Sequence, residues 1–180
     1  MMRHREKLTF NPIPITPAQL VAAMLKYDGM AYADGATVVD RDEKGELLRD
    51  GAGIVQGHGN CFGVLFLAAI DLGLWSGDPN LPPSAYSGQD QIKTLAEVLE
   101  YNFTTHPRDT VRAGDVLMMR YRDTNPRHTT PHHVALCIES PPNPRMIHAS
   151  NGAGRIYSCM ICPVMLPRIE LACRLRNFSL

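Results

Sequence analysis

The residues with the clearest chemical potential are one cysteine and two histidines. Cys61 follows Gly59-Asn60 and begins an apolar run that continues to about Leu74. This pattern predicts a buried helix that begins at the cysteine. The N-terminus of a helix carries unpaired N–H groups and partial positive charge, which favour the nucleophilic thiolate and can stabilise an oxyanion. Cys61 is therefore a candidate nucleophile.

Two histidines could serve that nucleophile. His133 begins one predicted strand and His148 ends the next, and adjacent antiparallel strands can bring such positions side by side. A nucleophile, a base and a group that orients the base form the catalytic arrangement of cysteine peptidases. We expect His133 to be the base and His148 to orient it, with His132 on the opposite side of the strand. Taken singly, Cys61 could be a small buried apolar residue and each histidine a surface or core residue.

The elements that must position these residues follow a simple order. A first helix is expected from Thr16-Pro17, with Thr16 as N-cap, to about Tyr27. The second begins at Cys61 and a third spans about 89–102. Strands are expected at 116–121, 133–139, 145–149, 155–160 and 171–176, with short ones at 37–39 and 53–55. No internal repeat is evident.

Helices followed by a run of strands indicate an α+β fold with an antiparallel sheet. The 180 residues are enough for one domain with a sizeable core. We expect an extended arm over residues 1–16 and a single domain over 17–180. A polar, glycine-rich segment at about 34–58 predicts a long surface loop within that domain, which either docks to partners or lines the substrate groove.

The composition argues against several function classes. Lys+Arg 18 balances Asp+Glu 18, so there is no strong field to bind nucleic acid or an anionic membrane. The longest apolar run, 64–70, is far shorter than the roughly 20 residues of a membrane span. No apolar segment follows the basic residues at the start, and we therefore expect no secretory signal.

The other four cysteines suggest a different chemistry. Cys159 and Cys162 form a Cys-x-x-Cys, and Cys137 and Cys173 could complete four thiolates for zinc or an iron–sulfur cluster. A single Cys-x-x-Cys is a weak signal, and three of these cysteines fall where strands bury small residues. We therefore expect neither a metal nor a cofactor, with the four-cysteine site as an alternative.

Four segments, in this order, resemble the NlpC-type cell-wall peptidases, a papain-like family. Residues 59–65 (Gly-Asn-Cys-Phe-Gly-Val-Leu) resemble the nucleophile motif Asp-Cys-Ser-Gly-Leu, and residues 112–118 (Arg-Ala-Gly-Asp-Val-Leu-Met) resemble the strand entry Pro-Gly-Asp-Leu. Residues 133–138 (His-Val-Ala-Leu-Cys-Ile) resemble His-Val-Gly-Ile-Tyr-Ile, and residues 146–150 match Met-Ile-His-Ala-Ser. The resemblance covers roughly residues 17–176.

The resemblance implies that Cys61 is the nucleophile, His133 the base and His148 the third catalytic residue. It also implies a papain-like NlpC-type fold. In this fold N-terminal helices, with the nucleophile on a buried central helix, pack on a five- to six-stranded antiparallel sheet. No cofactor is implied.

Three further residues are implicated in substrate or oxyanion binding. Ala31-Tyr32 resembles the family's Pro-Tyr, which contributes a tyrosine to the site. Asn60 and Phe62 stand where the family has an acid and a serine beside the nucleophile. We expect Asn60 to retain hydrogen-bonding capacity without charge, and Phe62 to narrow the groove.

The activity implied is D,L-endopeptidase hydrolysis of amide bonds in peptidoglycan stem peptides, usually between γ-D-glutamate and a diamino acid. The closing strand and compact single domain also resemble variants encoded with phage tails and gene transfer agents. These variants imply other tail-tip proteins as partners and a place in the virion, at the phage tail tip. They would act in the bacterial cell wall or periplasm, opening it for DNA delivery.

Two alternatives use the same fold. The departures at Asn60 and Phe62, together with the long segment 34–58, suggest a catalytically weak or inactive structural tail-tip protein. An amidase or acyltransferase would use the same nucleophile machinery.

Overall fold

The candidate residues lie where a helix meets the centre of a large sheet. The computed structural model describes residues 9–10, 13–34, 37–76, 103–120 and 133–176. The helix predicted at 89–102 falls outside this part of the chain, as do Tyr121 and His132. No helix within the described ranges has the length and apolar character needed to cross a membrane.

Both described helices begin where the sequence predicts. Helix α1 spans Pro17–Leu25 and helix α2 spans Cys61–Asp71. The Thr16 hydroxyl accepts the Gln19 N–H at 3.2 Å and the Gln19 side chain accepts the Thr16 N–H at 2.7 Å, which forms a capping box. The buried residues of α2 turn towards α1 and the sheet, and they are Phe62, Val64, Leu67 and Ala68.

The strands form one large sheet and one small one. They are β1 (Thr9–Phe10), β2 (Ala31–Tyr32), β3 (Val38–Val39), β4 (Gly57–Gly59), β5 (Trp75–Ser76), β6 (Phe103–His106), β7 (Val116–Met119), β8 (His133–Glu139), β9 (Arg145–Ser150), β10 (Arg155–Met160) and β11 (Ile169–Leu175). Within the described residues β1 pairs with β5, and the other nine form a sheet of order β3-β4-β2-β10-β9-β8-β7-β11-β6. Strands β2 and β4 are parallel, and every other neighbouring pair is antiparallel.

The five long strands predicted from the sequence are present and adjacent, but the predicted five- to six-stranded antiparallel sheet is wrong in size and type. Strands β2, β3 and β4 have only two or three residues each, too few for alternation to be visible. Strand β6 carries two exposed threonines and has no apolar alternation either. The strand predicted at 53–55 is absent, because Val55 forms only an isolated bridge to Arg49.

The centre of the sheet is buried on both faces. Side chains alternate along β8, so that Val134 and Leu136 pack with the helices while Ala135 and Cys137 face the other way. Loop residues such as Ile161 cover this second face. The arrangement explains why β7 and β8 are nearly continuous apolar runs.

The Gly114-Asp115 motif has a structural role. Asp115 is completely buried, and its two carboxylate oxygens accept Arg174 Nε at 2.8 Å and Nη2 at 2.7 Å. The Gly114 N–H donates to the Cys137 carbonyl at 2.8 Å, in a turn that needs φ of 89° at the glycine. The motif therefore fixes the start of β7 against β8 and β11.

Residues 40–56, expected to be an irregular loop, contain two turns of the same design eight residues apart. In each, an aspartate Oδ1 accepts two backbone N–H groups, at 2.8 Å for Asp42 and 2.9 Å for Asp50. The preceding arginine, Arg41 or Arg49, donates through Nη1 to the carbonyl of a glycine with positive φ. The repeated pattern Arg-Asp-x-x-Gly-x-Leu/Val corrects the expectation that the chain has no internal repeat.

The two turns belong to one folded unit, residues 40–56. Backbone hydrogen bonds run in a cycle from Leu48 to Asp40 at 2.9 Å, from Gln56 to Leu48 at 2.9 Å, and from Asp40 to Gln56 at 3.1 Å. Arg41 Nη2 also lies 3.4 Å from Asp71 Oδ1 at the end of α2. The segment is therefore anchored to the helix that begins with Cys61.

We expect Asp115→Asn to lower the free energy of unfolding by about 3–5 kcal/mol, because it leaves Arg174 largely buried without its counter-charge. Denaturant titration measures this loss. Glu139→Gln is a matched control, since it breaks the exposed ion pair with Arg145 and should cost less than about 1 kcal/mol. Equal effects of the two substitutions would contradict the structural role of Asp115.

Candidate active site

Cys61 is the first residue of α2, and the residue before it caps the helix. Asn60 has an extended backbone, and its side-chain oxygen accepts the N–H groups of Phe62 at 3.0 Å and Gly63 at 2.8 Å. This cap uses the second and third N–H groups of the helix and not that of Cys61. Asn60 thus has a local structural task that its sequence position alone did not indicate.

Gly63 allows a close approach within the protein. A Cβ at this position would lie 1.7 Å from the hydroxyl oxygen of Thr37. Thr37 is buried, and its hydroxyl accepts the Asn60 N–H at 3.4 Å. The space at Gly63 is filled by this threonine.

The Cys61 thiol lies between the start of α2 and the start of β8. Backbone N–H groups of Val134, Phe62 and Cys61 itself reach the sulfur and favour its thiolate. Burial outweighs them and raises the pKa of the Cys61 thiol, and the nearby Asp34 carboxylate raises it further. The N–H groups at the helix start thus favour the thiolate, as the sequence predicts, but they do not outweigh burial, and ionisation of the thiol needs a base.

Strands β8 and β9 separate next to this thiol. Their paired residues begin at Leu136 and Ile147, so the first residues of β8 are not paired with β9. Across this gap His133 Nε2 and His148 Nδ1 are 2.8 Å apart, and the rings are nearly perpendicular with centroids 4.9 Å apart. The structure thus joins the two predicted histidines by a hydrogen bond, with His133 at the start of the central strand β8.

His148 is held as a neutral imidazole. It is 4% exposed, and burial lowers the pKa of His148 to about 4. Tyr157 lies directly opposite on β10, with ring centroids 5.0 Å apart, and covers it. A neutral His148 whose Nδ1 accepts from His133 carries its own proton on Nε2, a buried atom that no described residue hydrogen-bonds.

Tyr32 also lies near the thiol, within electrostatic reach of Cys61. Its hydroxyl donates to the Asp34 carboxylate, and burial together with this contact raises the pKa of Tyr32. Asp34 was missed by the sequence analysis. An acidic residue two positions after Tyr32 could have indicated it, although the motifs that the sequence resembles have no corresponding residue.

Phe62 does not line an open groove. It is 8% exposed, belongs to the core and packs against the Phe66 ring with centroids 4.5 Å apart. The expectation that Phe62 narrows the substrate groove is therefore not supported, since its bulk is directed into the helix–sheet interface.

The four-cysteine alternative is also not supported by the geometry. The described residues, which include all four, contain no cluster of three or more His, Cys, Asp or Glu side chains arranged to hold a metal ion. Cys137 and Cys173 belong to different core clusters, and burial raises their thiol pKa values to about 12 and about 11. They behave as small buried apolar residues.

We expect Asn60→Ala to lower the free energy of unfolding by about 1 kcal/mol, because two N–H groups of α2 lose their acceptor. Asn60→Asp retains an acceptor and should keep most of that stability. Chemical denaturation of wild type and the two variants tests this. A free energy of unfolding for Asn60→Ala equal to that of wild type would argue against the cap.

A pH dependence follows from His148. The unfolded state binds a proton near pH 6.5 and the folded state only near pH 4, so protonation favours unfolding between these values. Stability should be highest above pH 6.5 and fall by about 3 kcal/mol as the pH drops through 4. Urea titrations from pH 7 to pH 4 should show a shallower fall for His148→Asn. If the free energy of unfolding fell equally steeply with pH in wild type and His148→Asn, the neutral state of His148 would be contradicted.

Comparisons with known proteins agree with this architecture. No protein-family model matches the chain, and no curated protein sequence matches it. Among solved structures, the peptidoglycan hydrolase RipB from Mycobacterium tuberculosis matches with a TM-score of 0.51 and 16% sequence identity, over 91% of this chain and 67% of RipB. At this identity the similarity is one of fold. The chain therefore has a fold similar to that of RipB, with a nine-stranded mixed sheet in the described residues.

Proposed function

We propose that this protein is a cysteine peptidase that hydrolyses amide bonds in peptidoglycan stem peptides. The observation that carries the proposal is the hydrogen bond between His133 and His148 beside the strand residue whose N–H reaches the Cys61 thiol. In this proposal α2 supplies the nucleophile, β8 the base and β9 the group that orients the base.

The first half-reaction begins with proton transfer from Cys61 to His133. The thiolate attacks the amide carbonyl carbon, and a tetrahedral intermediate forms with its negative charge on oxygen. His133 then gives the proton to the leaving amine, the C–N bond breaks and a thioester remains on Cys61. The Cys61 N–H, which Asn60 does not use, would donate to the oxyanion.

The second half-reaction uses the same residues. His133 removes a proton from water, the resulting hydroxide attacks the thioester, and the C–S bond breaks to release a carboxylate and regenerate the thiol. His148 remains neutral throughout, because burial keeps its pKa near 4. It can therefore accept from the His133 imidazolium and stabilise it at the moment of its formation.

The peptidoglycan substrate is supported by the fold shared with RipB and by the sequence resemblance to D,L-endopeptidases. A tail-tip location in a phage virion is a finer proposal, and the sequence resemblance alone supports it. An inactive structural protein of the same fold is the second candidate. The raised pKa of the Cys61 thiol favours it, because a protonated thiol is a weak nucleophile.

Incubation with purified muropeptides tests the proposal. Wild type should release a free amine and a carboxylate, Cys61→Ala should lower kcat by at least about 10³-fold, and His133→Ala by about 10²- to 10⁴-fold. Cys159→Ser is the matched control, since it replaces another partly exposed cysteine and should retain activity.

Absence of cleavage by wild type, or equal cleavage by Cys61→Ala, would reject the peptidase proposal. Thiol labelling across pH separates the second candidate. A Cys61 that reacts only above its usual pKa of about 8.5, in a protein that cleaves nothing, would indicate the inactive form.

A further inference from the structure

One carboxylate lies beside the nucleophile through the backbone geometry of β2 and β4. These strands are parallel, with Tyr32 opposite Gly59, and the Ala33 N–H donates to the Gly59 carbonyl at 3.2 Å. Because both chains run in the same direction, the next residues keep the same order. Asp34 therefore comes alongside Cys61, in agreement with its electrostatic effect on the thiol.

The Asp34 carboxylate is exposed and held in place. The Tyr32 hydroxyl donates to its Oδ1, and a carboxylate can accept further hydrogen bonds through both oxygens. Asn60, which directly precedes the nucleophile, contributes no charge, and its side-chain oxygen is used in capping α2. The negative charge beside Cys61 is thus supplied by the segment that follows β2.

We propose that Asp34 makes the site selective for charge: it favours peptides that carry a free amino group near the cleaved amide and disfavours peptides with a carboxylate there. An ammonium group can pair with the carboxylate that Tyr32 positions, whereas a second carboxylate at this place would be repelled. The peptide specificity rests on the proposed function, whereas the charge preference at Cys61 does not.

Methanethiosulfonate reagents test the charge preference without any peptide substrate. The probes are the cationic trimethylammonium-ethyl and the anionic sulfonato-ethyl reagents, and Cys61 modification is followed by peptide mass spectrometry. The measured ratio is the rate of Cys61 modification by the cationic reagent divided by the rate with the anionic reagent. In Asp34→Asn this ratio should fall about three- to tenfold, and added salt should reduce it in wild type. Asp34→Glu should retain most of the preference.

Glu43→Gln is the control, because it removes another exposed carboxylate, in the turn that begins at Asp42, and should leave the ratio of modification rates unchanged. A ratio that is the same in wild type and Asp34→Asn overturns the proposal. So does an equal fall in Glu43→Gln, which would indicate only the net charge of the surface.

Paired muropeptides, with the terminal amino group free or acetylated, test the peptide specificity. Wild type should prefer the free amine, and Asp34→Asn should lose that preference through a higher KM for the free amine. Loss of the reagent preference in Asp34→Asn, with no cleavage of either muropeptide by wild type, would leave the charge selectivity standing and reject the peptidase function. Cleavage by wild type without any preference would reject the amine specificity alone.

Discussion

The candidate site depends on the contact between one helix N-terminus and two neighbouring strands of the sheet. Strands β8 and β9 pair only from Leu136 and Ile147 onwards, and the start of α2 lies where they separate. There the Val134 N–H, which is not paired with β9, reaches the Cys61 thiol. The same separation gives the side chains of His133 and His148 room to meet at 2.8 Å.

Several contacts outside the site hold that helix in position. The Asn60 amide caps its first turn, and Thr37 packs against it where only Gly63 leaves enough space. At the other end of α2, the Asp71 carboxylate pairs with Arg41 of the folded unit 40–56 and accepts a hydrogen bond from the Tyr27 hydroxyl at 3.1 Å. Segments far apart in the sequence therefore act on both ends of α2, and the position of the thiol is a property of the whole domain.

The electrostatics of the site combine burial with a few specific charges. Burial keeps His148 neutral and the Cys61 thiol protonated, so neither carries charge in the resting protein at neutral pH. In the proposed reaction, positive charge would develop on His133 next to this neutral acceptor. The exposed Asp34 carboxylate adds a negative charge close to the Cys61 thiol.

The elements whose signals are local could be read from the sequence. The Thr16 cap and an apolar face located α1, the apolar run from Cys61 located α2, and short apolar or alternating segments located the five long strands, because neighbouring residues decide these features. The order of Cys61, His133 and His148 also indicated the candidate chemistry. The Asn60 cap is local as well, because the side chain accepts from the N–H groups two and three residues ahead. The burial of Phe62 in the core and the position of Asp34 beside the thiol follow from tertiary structure alone. Both depend on contacts between segments that are distant in sequence, and strands β2 and β4, which bring Asp34 to the thiol, are too short to carry a pattern.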